Sequence, residues 1–194
     1  MPTTFVLYGG KTSIDSPQND EFFKTSIDLV HRENIHIVLC YWARPKEQWE
    51  ALAKRDRPKI TKQTSKRVTF STAQDVEDLF IKLEQADVLY VAGGKAKLIE
   101  PFYPKLSQLK LKLKGKVYLG SSIGTFIVST HYVLSHANQD ENTVHHGLGI
   151  LPISTLCHWN VEKKKQFKID LLRQAAPEFP IILLDEQKFV KIIY

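Results

Sequence analysis

Residues 116–128, Lys-Val-Tyr-Leu-Gly-Ser-Ser-Ile-Gly-Thr-Phe-Ile-Val, constrain the fold more than any other stretch of this chain. An apolar run of buried-strand length ends in Gly120-Ser121-Ser122-Ile123-Gly124, and a second apolar run then reads as a helix. G-x-S-x-G in a strand–turn–helix setting predicts a nucleophile elbow, with Ser122 at the apex of a sharp turn. The two glycines let backbones approach where any Cβ would clash. The helix behind the turn directs its first N–H groups toward the serine, where an oxyanion would form. The same five residues would equally serve a plain tight turn between a strand and a helix, with no chemistry attached.

Around the elbow, strands alternate with helices. That order predicts an α/β fold, a mostly parallel sheet flanked by helices on both faces. Strands are expected at residues 4–8, closed by Gly9-Gly10, at 35–40, at 67–70, and at 87–92, closed by Gly93-Gly94. Helices are expected over 20–31, from Pro45 onward with Trp49, Leu52 and Ala53 inward, and after Ser71-Thr72-Ala73-Gln74, which resembles a capping box. A further helix over 97–113 would be interrupted at Pro101 and Pro104, and the polar, basic stretch 54–66 reads as a loop. Past the elbow come a polar stretch, a strand end near 155–160, a basic amphipathic helix over 161–176, and strands at 181–184 and 189–193 joined by Asp185-Glu186-Gln187-Lys188. No internal repeat breaks the order, so residues 1–194 are expected to form one domain.

Composition excludes several classes. Hydrophobic residues at 43% and charged residues at 25% fit an ordinary globular chain. The N-terminal apolar run reads as a first strand rather than a signal peptide, and no apolar segment approaches the length of a membrane span. Cys40 and Cys157 alone cannot make a disulfide framework, so a cytoplasmic location is expected. The formal net charge of +6 could favour an anionic partner. The lysines between 105 and 116 and at 163–165 lie along helix ends, however, where solvated faces account for them better than nucleic acid does.

A serine hydroxyl becomes a nucleophile only when a base takes its proton and a further group holds that base. Of seven histidines, five (His131, His136, His145, His146 and His158) follow the elbow. His158 is the chosen base, since it sits at a strand end after a Gly-Leu-Gly turn, although a half-buried structural histidine beside Trp159 would look the same. The adjacent pair His145-His146 and the spacing from His131 to His136 do not match a zinc site, so loop histidines are the simpler reading. Gly93-Gly94 closes the strand expected beside the elbow strand. An N–H from that pair and the N–H of Ile123 would form a two-donor oxyanion hole, unless the glycines only turn the chain. Arg44, Lys95 and Arg173 are the cations best placed to hold an acidic substrate, if they are more than surface charges.

Taken together, Tyr90-Val91-Ala92-Gly93-Gly94, the elbow, Gly147-Leu148-Gly149-Ile150-Leu151-Pro152, Cys157-His158-Trp159 and Leu183-Leu184-Asp185-Glu186 resemble the peptidase E and cyanophycinase family of serine peptidases. The resemblance runs from Tyr8-Gly9-Gly10 over nearly the whole chain. It implies a fold similar to class I glutamine amidotransferases, with Ser122 as nucleophile, His158 as general base, and Gly93 or Gly94 with Ile123 as oxyanion donors. It further implies cleavage beside aspartate, in an aspartyl dipeptide or in cyanophycin, with no metal or organic cofactor. Two positions depart from the family. Ile123 stands where the family's elbow has alanine, and would narrow the site. The family's triad acid falls where this chain has His136-Ala137, leaving Asp140, or Glu141 after it, as the candidate acid. The implied partner is a small peptide, neither membrane nor nucleic acid, and a homodimer is left open. The chief competitor is a catalytically silent binding or regulatory protein on the same scaffold. A general α/β-hydrolase is disfavoured because no histidine follows His158.

Overall fold

The structure is a computed structural model that describes residues 1–135 and 142–194. Its strands are β1 (Thr4–Tyr8), β2 (Asn34–Cys40), β3 (Arg67–Thr72), β4 (Val88–Val91), β5 (Val117–Ser121), β6 (His131–Val133), β7 (Val144–His146), β8 (Ser154–Cys157), β9 (Ile181–Leu184) and β10 (Phe189–Ile193). The helices are α1 (Pro17–Asp28), α2 (Trp49–Thr61), α3 (Val76–Leu83), α4 (Ala96–Ile99), α5 (Leu109–Lys112), α6 (Ile123–Phe126) and α7 (Lys165–Ala175).

Six strands form the main sheet in the order β10-β1-β5-β4-β2-β3, parallel throughout except for the β10 edge. This is the mostly parallel α/β sheet expected from the alternation of elements. Every residue of β4 and β5 is buried, as it must be when both faces of a parallel sheet are covered. β4 and β5 are neighbours in register Val91↔Gly120, which places Gly93-Gly94 and Ser122 together beyond the carboxyl edge. Open parallel sheets take their ligands at that edge.

A second sheet, in the order β7-β6-β8-β9, was not foreseen. Its strands are three or four residues long, too short to show a period of two. The two terminal strands therefore do not pair with each other: β9 runs parallel to β8 while β10 runs antiparallel to β1. Residues 185–188 cross between sheets.

Several boundaries also differ. Of the basic stretch 54–66, expected as a loop, only residues 62–66 form the connection; the rest is helical, because α2 continues to Thr61. Its buried positions Trp49, Ala53, Asp56 and Ile60 do follow helical spacing, but one of them is a carboxylate, and Pro58 interrupts the interior. Ser71 and Thr72 lie in β3, and the cap of α3 is Asp75, which accepts from Asp78 N–H at 2.9 Å. The expected helix over 97–113 is two single turns flanking a 3-10 segment, Glu100–Lys105, where Pro101 and Pro104 supply no N–H. α7 begins only at Lys165, after a 3-10 turn at Trp159–Val161.

Candidate active site

The elbow is shaped by contacts with no room for side chains. A Cβ on Gly120 would lie 2.4 Å from Gly124 O, and one on Gly124 would lie 2.1 Å from Val91 O. Only glycine fits at either position. Tyr118 Oη donates to Gly124 O at 2.6 Å, and Thr125 Oγ1 lies 3.0 Å from both Tyr8 O and Gly120 O, fixing α6 against the sheet. Ser122 between them has φ 51° and ψ −105°, and its N–H donates to Tyr8 O at 2.9 Å. Ile123, expected to narrow the site, is only 2% exposed and turns into the core.

β8 delivers the second group. After Cys157 the backbone turns left-handed at His158 (φ 57°, ψ 33°), held by His158 N–H donating to Gly9 O at 3.2 Å. The turn swings the imidazole over Gly10, where a Cβ would lie 2.4 Å from Cε1. Ser122 Oγ and His158 Nε2 are then 3.0 Å apart. The opposite ring nitrogen, Nδ1, lies 2.8 Å from Glu186 Oε1 in the crossover between β9 and β10. Since an ionised carboxylate only accepts, Nδ1 carries the proton and Nε2 is left to receive the serine's. Glu186 N–H donates to Asn160 Oδ1 at 2.8 Å, and Lys11 Nζ lies 3.7 Å from Glu186 Oε2. The nearby Tyr8 hydroxyl is buried and donates to Asn19 Oδ1; burial, and then the charge of Glu186, push its pKa up.

Strain is concentrated here. Among the described residues, the non-glycine positions with positive φ are Lys11, Ser122, His158 and Gln187. Two are the paired side chains, one lines the cavity above them, and one follows Glu186. Strained backbone persists where surrounding contacts enforce it, and it gathers at functional sites.

Above Ser122 opens a cavity of about 210 Å³, walled by residues 11–13, by Arg44, Leu52 and Arg55, and by residues 92–95, with Ser121, Ser122 and His158 at its base. Four cations, Lys11, Arg44, Arg55 and Lys95, face it, and no carboxylate lines it among the described residues. Arg44 Nε donates to Gly93 O at 2.7 Å. A Cβ on Gly93 would come 3.1 Å from Ser122 Cβ, so a larger residue would crowd Ser122. Among the described residues, the amides of Gly93, Gly94 and Ile123 have no hydrogen-bond acceptor, which leaves them free for a ligand oxygen.

The structure thus brings together Ser122, His158, Gly93, Gly94, Ile123, Arg44 and Lys95. Arg173 lies on the exposed side of α7, outside the cavity lining. Asp140, Glu141 and His136 fall outside the described residues. The carboxylate on His158 is Glu186, which sequence reasoning passed over although it follows an apolar strand just as His158 does. Lys11 and Arg55 were also missed, the latter because it sits in the helix read as a loop. His131 and His146 pair across β6 and β7 with rings 4.8 Å apart, away from the cavity. Among the described residues no three metal-ligating side chains converge. Both thiols are buried; burial pushes Cys40 up to about 12 and raises Cys157 too, so neither is a ready thiolate. A larger cavity of about 650 Å³ between α3 and α5 is lined by neither serine nor histidine. No helix among the described residues is long and apolar enough to cross a membrane.

Among solved structures the fold is similar to a peptidase from an acI-B1 Actinobacterium, with a TM-score of 0.69 at 17% identity, covering 99% of this chain and 84% of that one. It is also similar to a candidate peptidase E protein from Listeria monocytogenes EGD-e, with a TM-score of 0.64 at 15% identity, covering 100% of this chain and 95% of that one. No curated protein matches the chain. The model of peptidase family S51 matches residues 6–193, and the chain belongs to that family of serine-type peptidases.

Proposed function

We propose that the protein hydrolyses a small acidic peptide, of the aspartyl dipeptide type, through an acyl-enzyme on Ser122. The observation that carries this reading is the pair of contacts on one imidazole: Nε2 3.0 Å from Ser122 Oγ and Nδ1 2.8 Å from Glu186 Oε1. Ser122 Oγ attacks the peptide carbonyl carbon as its proton passes to His158 Nε2. Glu186 stays ionised and stabilises the imidazolium. The tetrahedral oxyanion is received by Ile123 N–H and by an N–H of Gly93 or Gly94. Collapse expels the amine, which takes the proton from Nε2, and water then repeats the sequence on the ester.

The substrate class follows from charge and size. Four cations around the cavity, of which Arg44 and Lys95 have no carboxylate partner among the described residues, favour a substrate bearing carboxylates. Its volume, about 210 Å³, is below the roughly 300 Å³ at which pockets begin to take drug-sized ligands, which favours a dipeptide over a polymer such as cyanophycin. A carboxylate on His158 weighs against a silent scaffold. Two free, buried cysteines suit a cytoplasmic protein. The test is a panel of aspartyl dipeptides and arginyl-aspartate conjugates with wild type and Ser122→Ala, beside a fluorophosphonate probe. Turnover abolished by Ser122→Ala, with the probe on Ser122, is expected. Turnover that survives the substitution, or a probe on another residue or on none, overturns the reading.

A further inference from the structure

Arg55 differs from the other cations of the cavity in how it is held. Lys95 is a flexible point charge, Lys11 lies against Glu186 at 3.7 Å, and Arg44 is anchored to a carbonyl through Nε alone. Arg55 instead grips Asp56 through two bonds, Nε to Oδ1 at 2.7 Å and Nη2 to Oδ2 at 3.1 Å. Asp56 is fully buried at 0% exposure, and Tyr41 Oη, itself buried, donates to its Oδ2 at 3.1 Å. Burying a carboxylate is costly unless it is paired and hydrogen-bonded. Here the pairing locks one guanidinium in place. With Nε and Nη2 committed, Nη1 has no partner among the described residues, on a side chain that is 33% exposed and lines the cavity over Ser122.

We infer that Arg55, positioned by the buried Asp56, is the specificity-determining residue that receives a substrate carboxylate in this cavity. The inference rests on reading the cavity as the substrate site, and it adds which cation selects and why. A guanidinium fixed in advance loses little side-chain freedom on binding, so its charge-assisted bond contributes more to affinity than a mobile lysine's would. Asp56 touches no substrate and acts only through Arg55. The carboxylate could come from the aspartyl side chain or from the peptide's C-terminus; the chemistry is shared, and the experiment separates the sources.

The test is calorimetric titration in the Ser122→Ala background, which needs no turnover. The ligands are an aspartyl dipeptide, its asparaginyl counterpart and its C-terminal amide. The dipeptide is expected to bind tighter than one of the two neutralised ligands, and Arg55→Met to erase that preference, raising the dipeptide Kd on the order of 10- to 100-fold. Arg55→Lys should restore part of the preference, because charge returns without the fork. Because Arg55→Met leaves Asp56 buried and unpaired, the double variant Arg55→Met/Asp56→Asn is measured in parallel and should lose the same preference. Asp56→Asn alone should weaken the dipeptide less than Arg55→Met does. Equal loss for all three ligands, a preference that survives Arg55→Met, or no binding of the dipeptide to the Ser122→Ala parent overturns the inference. Fluorophosphonate labelling of wild-type Ser122 reports separately on the hydrolase reading, so failure of one is distinguishable from failure of the other.

Discussion

Replacing Glu186 by glutamine isolates the charge that the structure places on His158. The amide keeps the size of the side chain, and its oxygen can still accept from Nδ1–H. What it cannot do is stabilise the imidazolium that forms when Ser122 gives up its proton. Two unit charges at the 2.8 Å separation of Nδ1 and Oε1 attract by about 6 kcal/mol at an effective dielectric near 20. The glutamine oxygen, still facing Nδ1–H, retains part of that attraction as a dipole, and roughly 4 kcal/mol is the net loss expected. The expected loss in kcat/KM is therefore on the order of 10³-fold. Stability should fall only modestly, by about 1 kcal/mol, since Glu186 is 12% exposed and paired with Lys11 but glutamine keeps its shape and its bond to Nδ1–H. The assay is steady-state hydrolysis of an aspartyl dipeptide, run beside Asp140→Asn, Glu141→Gln and a thermal melt of each protein. If Glu186→Gln stays within threefold of wild type, or if Asp140→Asn or Glu141→Gln costs more, Glu186 is not the acid and the reasoning fails.

Gly10→Ala should fold yet lose most of its activity, because its Cβ would meet His158 Cε1 at 2.4 Å and φ is +120°; normal hydrolysis with a normal melting curve would refute the packing argument. Stability should also fall in mild acid. Burial holds His36 and His131 below their ordinary pKa of 6.5, helped by Lys82 and His146 respectively and opposed by Asp87 and Glu178. The unfolded chain therefore protonates first, and the stability these groups contribute is present above 6.5 and lost as pH falls below it. Thermal melts between pH 7 and pH 5 should show a falling Tm, and the double variant His36→Asn/His131→Asn should flatten that slope; an unchanged slope would contradict it.

The parts of the site that were legible in the sequence are those whose chemistry depends on local geometry. Gly120 and Gly124 announce close backbone approach, and the contacts at both are backbone to backbone. A strand ending in Gly93-Gly94 beside the elbow strand was predictable from adjacency, since sequential strands usually pair. His158 was legible as a strand-end histidine. Glu186 and Arg55 were not, for different reasons. Glu186 lies in a crossover between two sheets, and one of those sheets has strands too short to announce themselves. Arg55 lies on a helix whose buried stripe includes a carboxylate, so the polarity that suggested a loop belongs to an internal ion pair. Hydrophobic periodicity is blind to a buried charge whose partner is its own neighbour.

The arrangement of sheets explains why His158 and Ser122 meet at all. Ser122 follows β5 of the main sheet, while His158 follows β8 of the small one. The small sheet cannot hold its shape alone, for its separate core holds only Val133, Leu156 and Leu172 among the buried described residues. It leans on the main core through Tyr132, Leu134, Ile153 and Cys157, and Tyr132 stacks on Phe126 of the elbow helix with centroids 4.7 Å apart and rings 4° from parallel. The fine alignment comes from the end of β1. Gly9 O accepts from His158 N–H at 3.2 Å, Gly9 N–H donates to Lys188 O at 2.9 Å, and Gly10 O accepts from Gln187 N–H at 3.1 Å. One glycine pair thus fixes the turn that carries His158 and the crossover that carries Glu186. Tyr8 O, one residue earlier, accepts from Ser122 N–H. Three consecutive residues at the end of β1 therefore set the relative positions of Ser122, His158 and Glu186, which explains why the chain can draw those groups from two sheets and a crossover and still hold them within hydrogen-bond distance.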